Sequence, residues 1–218
     1  MLERILLDRR LIVHAFEHKD LLNRPDALAS IRSALRTSVQ NVREYIEAIA
    51  PDFIIFSGGS REVSRVICEV SGITTSERKI IAFPPDLNRS LYLDFLPLAD
   101  IPTGVKYLKE HYPELTPDSC IVVLDDYVRT GEKAEESLKR LRKLGFSRLG
   151  FAVFVGGTEK KYAPDELFVG SEDPNLYMFI RSCADIVTDE SKHNYQREPG
   201  YTSISDVTQF LRSLIYED

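Results

Sequence analysis

The sequence predicts an α/β fold with a mostly parallel central sheet flanked by helices. Three observations carry that reading. Two short apolar runs, at 53–56 and 119–126, read as strands buried on both faces, the pattern of a parallel sheet. Each run is followed at once by turn residues and then by apolar residues at steps of three and four, the spacing of a helix. Strand and helix therefore alternate, which is the element order of parallel sheets.

The elements follow in order. Leu28, Ile31, Leu35, Val39, Val42, Ile46 and Ile49 form one helical stripe over 26–49, opened by Pro25 and closed by Pro51. Phe53 to Phe56 form the first strand, ended by Ser57, Gly58 and Gly59. Val63, Val66, Ile67 and Val70 return to helical spacing, and Gly72 stops them. Lys79 to Phe83 read as a second strand, 84–102 as a long loop, and the region around 103–111 as a helix. SCIVVLDD, 119–126, is a buried strand, YVRTGE a turn, and 132–144 a helix with Ala134, Leu138, Leu141 and Leu144 inward, ended by Gly145. A strand follows at 148–157, then a strand at 176–180, a polar loop at 189–203 and a helix at 205–216.

Composition narrows the function. The 218 residues carry 28 Lys and Arg against 34 Asp and Glu, a formal charge of −6. Such a chain lacks the broad positive field of a general nucleic-acid binder. No apolar run approaches the roughly 18–20 residues that span a bilayer, and charges interrupt the apolar N-terminus, so no membrane association and a cytoplasmic location are expected. Cys68, Cys120 and Cys183 are far apart and make no zinc spacing; they read as buried thiols in a reducing compartment. His14, His18 and His111 lack ligand spacing.

Ligands of parallel α/β folds sit beyond the carboxyl ends of the strands. The segment IVVLDDYVRTGEKA ends a buried strand in two adjacent carboxylates, Asp125 and Asp126, and turns through Thr130 and Gly131 into a helix. The helix N-terminus offers backbone N–H groups and the positive end of a dipole to a phosphate. Gly131 lets the backbone wrap an anion, Thr130 adds a hydroxyl, and ionised aspartates accept from vicinal hydroxyls. A phosphate beside a diol describes a ribose 5-phosphate. A solvent-exposed turn is the bland alternative. Adjacent aspartates also end strands in response-regulator receivers and metal-dependent phosphatases, which call for a third acidic loop or a lysine at another strand end; no clear candidate is present.

From Ile121 to about Ala134 the chain resembles the signature of the type I phosphoribosyltransferases (PRTases). The resemblance implies a PRTase-like single domain over 1–218, with a core of about 25–157 and a small variable hood drawn from 1–24 and 158–203. It implies 5-phosphoribosyl-1-pyrophosphate (PRPP) or a nucleotide 5′-monophosphate as ligand, with Mg²⁺ carried by substrate oxygens rather than bound directly by the protein. Asp125 and Asp126 would meet the ribose, and Arg129, Thr130, Gly131, Glu132 and Lys133 the phosphate. Ser57, Gly58, Gly59, Ser60 and Arg61 would form the pyrophosphate loop, where the family often has a non-proline cis peptide. The loop at 84–104 matches the family's mobile flap, with Arg78, Lys79 and Arg89 nearby. Dimers are common in the family, so a homodimer is the corresponding expectation.

Two positions depart from the family. Arg129 stands where an acid often serves the incoming base as proton acceptor, and a guanidinium cannot do that. Lys133 replaces a second hydroxyl residue of the cradle. A cation in the first helical turn opposes the dipole, so Lys133→Ala is expected to leave the unliganded chain equally or slightly more stable. The catalytic residues are not assigned. His193, Tyr195, Arg197 and Tyr201 form a polar and aromatic cluster suited to a base or a carboxylate, and an exposed loop explains the same residues. Three functions remain: transfer of phosphoribosyl to a nitrogenous base with release of pyrophosphate, a non-catalytic nucleotide or PRPP sensor or partner subunit on the same fold, and a Mg²⁺-dependent phosphohydrolase on another α/β scaffold.

Overall fold

A computed structural model describes residues 26–56, 61–73, 79–81, 106, 108–157, 159, 161–193 and 204–216. The candidate loop residues Ser57, Gly58, Gly59 and Ser60 lie outside the described residues, as do Arg78, Arg89, the 84–104 flap apart from its surroundings, the N-terminal hood segment, Tyr195, Arg197 and Tyr201.

Helix α1 (Ala27–Ile49) buries Ile31, Leu35, Val39, Val42 and Ile46 along its predicted stripe. It ends at Ala50, whose left-handed backbone (φ 47°) donates its N–H to Ile46 O. Pro51 then cannot continue the helix. Strand β1 (Phe53–Phe56) is buried at all four residues. Helix α2 (Arg61–Val70) closes in a Schellman arrangement, with the Gly72 amide on Glu69 O and the Ile73 amide on Cys68 O. Strand β2 (Lys79–Ile81) follows, and later β3 (Cys120–Val128), helix α3 (Glu132–Lys143), β4 (Arg148–Gly156), β5 (Leu167–Val169), α4 (Pro174–His193) and α5 (Ile204–Tyr216). Residues 108–111 are helical, in the region expected from the sequence.

The five strands form one parallel sheet in the order β2-β1-β3-β4-β5. Its two faces are covered unequally. Val122, Leu124, Ala152 and Phe154 join a large apolar cluster with α1, α2, α4 and α5. Their strand neighbours Ile121, Val123, Phe151 and Val153 join a smaller one with Ala134, Leu138 and Leu141 of α3. Strand residues alternate between faces, so both clusters are filled by the same continuous apolar runs. The crossover through α2 leads away from β1 in one direction, and the crossover through α3 leads away from β3 in the other. Right-handed crossovers put those helices on opposite faces, as observed. The sheet thus has a switch point between the carboxyl ends of β1 and β3, which are parallel neighbours with Phe56 in register with Leu124.

Three expectations are corrected. Strand β3 runs to Val128 rather than stopping at Asp126, because β4 is long enough to pair with it as far as Val128↔Gly156; the turn is only Arg129–Gly131. The run at 176–180 is helix, not strand: Asp173 accepts from the Leu176 amide (2.8 Å), Pro174 starts α4, and Leu176, Phe179, Ile180, Cys183 and Ile186 bury one face. The strand of that region is β5, Leu167–Val169, on the sheet edge. Residues 189–193, expected in a polar loop, complete α4. Within the segment 158–203 offered as hood, β5 therefore extends the sheet and α4 packs into the larger cluster. The three cysteines are buried thiols. Among the described residues no helix is long and apolar enough to cross a membrane.

Candidate functional site

Asp125 and Asp126 lie near the carboxyl end of β3, and each is only 1% exposed. Strand alternation sends them to opposite faces. Asp125 turns toward α3, where its Oδ2 lies 2.5 Å from Lys133 Nζ. Asp126 turns toward α4: burial pushes the Cys183 thiol well up, and the Asp126 carboxylate pushes it further. Each carboxylate is also steadied by the next amide. Asp125 Oδ1 accepts from the Asp126 N–H (3.1 Å), and Asp126 Oδ1 from the Tyr127 N–H (2.9 Å).

The turn after β3 is held by backbone. Gly131 sits at φ +85°, in the region that side chains disfavour. A Cβ there would lie 1.9 Å from the Tyr162 carbonyl oxygen. The space is that tight because residues 161–162 lie across the turn, with the Lys161 and Tyr162 amides both donating to Thr130 O at 2.9 Å. The Gly157 amide similarly donates to Val128 O. Thr130 Oγ1 accepts from the Glu132 N–H (3.4 Å), which opens α3. Glu132 itself is exposed, and with Glu135 it gives the first turn the acidic side chains that a helix dipole favours. Its carboxylate would repel a phosphate, so only its amide suits the expected role.

Arg129 and Lys133 separate in space. Arg129 Nε lies 3.0 Å from Glu159 Oε2, and both side chains are more than half exposed. Glu159 holds the guanidinium above its ordinary range, so it stays a cation. Lys133 instead reaches one of the two buried carboxylates of the site, Asp125.

These groups open on a cavity of about 300 Å³ that straddles the end of β3. Asp125, Asp126 and residues 127–131 form its floor, Lys133 and Ala134 of α3 one wall, and Ala184 and Asp185 of α4 another. Asp125, Asp126, Arg129, Thr130, Gly131 and Lys133 thus line one cavity, brought there by one local segment. Arg61 opens α2 and Lys79 opens β2. His111 is exposed and His193 ends α4.

Sequence reading missed the α4 wall. Tyr177, Arg181 and Asp185 recur at steps of four, beside the buried face of the helix. That stripe was readable only once 176–180 was taken as helical, for which the Asp-Pro opening is the signal. Tyr177 meets Tyr127 edge-on, with ring centroids 5.7 Å apart. Burial pushes the Tyr127 hydroxyl well up, and the Asp126 and Asp185 carboxylates add to it. Burial also raises Tyr177, against the pull of Arg181, which bonds to its hydroxyl. Arg181 Nε lies 4.0 Å from Asp185 Oδ2.

Chemically, the cavity offers two buried acceptors, a hydroxyl, a lysine and a backbone turn at a helix N-terminus. Among the described residues no three His, Cys, Asp or Glu side chains gather as a metal site. The Asp125 and Asp126 oxygens are hard donors of the kind Mg²⁺ takes. No protein-family model and no curated protein matches the chain. Among solved structures the chain is similar to a purine phosphoribosyltransferase from Pyrococcus horikoshii, at 15% identity and a TM-score of 0.38, over 62% of this chain and 87% of that one.

Proposed function

We propose that the end of β3 binds a ribose 5-phosphate group and that the chain is a phosphoribosyltransferase-like protein. One observation carries the reading: two carboxylates, each 1% exposed, open on the same cavity as a glycine turn that leads into a helix N-terminus. Buried charge is costly unless it is paired or meets donors. Lys133 meets Asp125, and a vicinal diol would supply donors to both carboxylates. The Thr130–Gly131 turn and the first amides of α3 would meet the 5-phosphate, with Lys133 within reach of both ends of the ligand.

With PRPP as donor, the C1–nitrogen bond to a base would form as the C1–oxygen bond to diphosphate breaks, and pyrophosphate would leave with the electron pair. Mg²⁺ carried on diphosphate oxygens would offset leaving-group charge, and Asp125 and Asp126 would offer it hard oxygen donors. The protein's part is position and electrostatics. The PRPP or nucleotide sensor is the second reading. Arg129, held as a cation by Glu159, favours it, because the turn then lacks the acid that could take a proton from the base.

The test is ligand-linked stability. PRPP with Mg²⁺, or ribose 5-phosphate alone, should raise the melting temperature of the wild type; at a hundredfold excess over Kd the gain is about 2.7 kcal/mol. The Asp125→Asn, Asp126→Asn double variant should fold and lose that response. A wild type indifferent to every phosphorylated ribose would end the reading, as would a double variant that responds unchanged. Pyrophosphate release that requires an added base separates a transferase from the sensor and from a phosphohydrolase.

A further inference from the structure

Among the described residues that line the cavity, every charged side chain but one comes from the single segment 125–133, which runs from β3 into α3. The exception is Asp185, delivered by α4 from the opposite side. We propose that Asp185 reads the base: its carboxylate accepts a hydrogen bond from an N–H of a nitrogen heterocycle attached to the bound ribose. The inference rests on the ribose 5-phosphate reading, whose phosphate end lies at Thr130–Lys133 and whose sugar end lies at Asp125 and Asp126.

Geometry sets the direction. Lys133 and Ala134 wall the cavity on the α3 side, so a ligand with its phosphate at that turn extends past the carboxylates toward α4. There the contact of Tyr127 with Tyr177 fixes the helix against the strand end. Arg181, one turn before Asp185, stands 4.0 Å from its carboxylate, and Asp185 lines the cavity. The Asp126 and Asp185 carboxylates both push the Tyr127 hydroxyl upward. An ionised carboxylate only accepts, so its partner must be a donor. A ring N–H or an exocyclic amine fits. A carboxylated heterocycle would meet like charge. Arg129 cannot fill this role, since a guanidinium has donors alone.

The test uses the full chain and defined probes: ribose 5-phosphate and the adenosine, guanosine, uridine and cytidine 5′-monophosphates. At least one monophosphate should bind the wild type about tenfold or more tighter than ribose 5-phosphate, the scale of one charged hydrogen bond. Asp185→Leu removes the acceptor and should reduce that advantage to within about twofold, while ribose 5-phosphate affinity stays within about twofold of wild type. Asp185→Asn keeps one acceptor without charge and should fall between; it decides the matter if the leucine variant does not fold. Variants that keep the full advantage overturn the assignment, as does a wild type that binds no monophosphate better than ribose 5-phosphate. Failure of ribose 5-phosphate itself to bind overturns the underlying reading, a result distinct from the loss of base discrimination alone.

Discussion

The turn after β3 and helix α4 border one cavity but are held by different means. In the turn, the backbone does the holding: Gly131 lies under the Tyr162 carbonyl, and Thr130 O receives two amides from 161–162. On α4, side chains project from a helix whose position comes from its buried face against the sheet and α1. A backbone-built site tolerates almost no added atom, because amides and carbonyls cannot rotate away. A side-chain stripe can lose members without moving its helix. The difference teaches where single substitutions should destroy the site and where they should only retune it.

The largest effect should come from Gly131→Ala. The left-handed conformation costs a β-carbon about 1–2 kcal/mol, and the collision with Tyr162 O adds to it. We expect about 3 kcal/mol in all, or roughly 6–12 °C in melting temperature for a chain of this size. Gly145→Ala is the control. Gly145 is also left-handed (φ +99°), but nothing lies within 4 Å of its added carbon, so only the conformational cost applies. Equal melting shifts for the two variants would mean that 161–162 gives way freely and does not brace the turn.

Lys133→Ala should rank second and reverses the expectation drawn from the helix dipole alone. Dipole repulsion of a first-turn cation is worth a few tenths to 1 kcal/mol. Removing Lys133 strands the carboxylate of Asp125, which is 1% exposed. Breaking a fully buried pair costs about 3–5 kcal/mol. The lysine is 37% exposed, however, so water reaches one end of the pair and we expect a loss of about 1–2 kcal/mol. Asp125→Asn added to Lys133→Ala should restore most of it. A single variant as stable as wild type would show that the pair contributes no stability and that the dipole argument stands.

These two regions also divide what the sequence made legible. The β3 turn was readable because its chemistry is contiguous: strand, paired aspartates, Thr-Gly and helix occupy one short segment, and Lys133 is close enough to be suspected. What could not be read was its partner. The ion pair with Asp125 depends on α3 folding back along the strand, which turns a first-turn lysine from a cost into a support. The α4 wall was illegible for another reason. Leu-Tyr-Met-Phe-Ile is apolar enough for a buried strand or a helix, and periodicity cannot decide over five residues. The longer window, Leu176 to Ile186, decides for the helix. Even so, Asp185 gains meaning only from the distant strand it faces. The same holds for β5, three residues whose half-buried pattern is weak in sequence and fixed by pairing with Phe151 to Val153.

The third prediction probes the α4 side. Asp173→Ala removes the acceptor of the Leu176 amide at the start of α4. Loss of such a cap costs about 1 kcal/mol, or roughly 2–4 °C. Ribose 5-phosphate affinity should not change, because the turn does not depend on that end of the helix. A loss of affinity matching that of Gly131→Ala would mean that α4 supports the turn and that the two regions are one unit.

The smallest effect should belong to Arg129→Ala, although Arg129 lies within the turn itself. Its partner Glu159 belongs to the same connection that braces the turn, so the pair looks like a second clamp. Both side chains are more than half exposed, and water and salt screen exposed pairs strongly. The amides of Lys161 and Tyr162 already hold the connection to Thr130 O, at 2.9 Å each, independently of any side chain. Melting temperature should therefore match wild type at both low and high salt, while Gly131→Ala falls at both. If Arg129→Ala melts early only at low salt, the exposed pair shares the clamping. If it falls as far as Gly131→Ala, the connection is held by the guanidinium rather than the backbone, and the contrast between a backbone-built turn and a side-chain stripe fails at its first term.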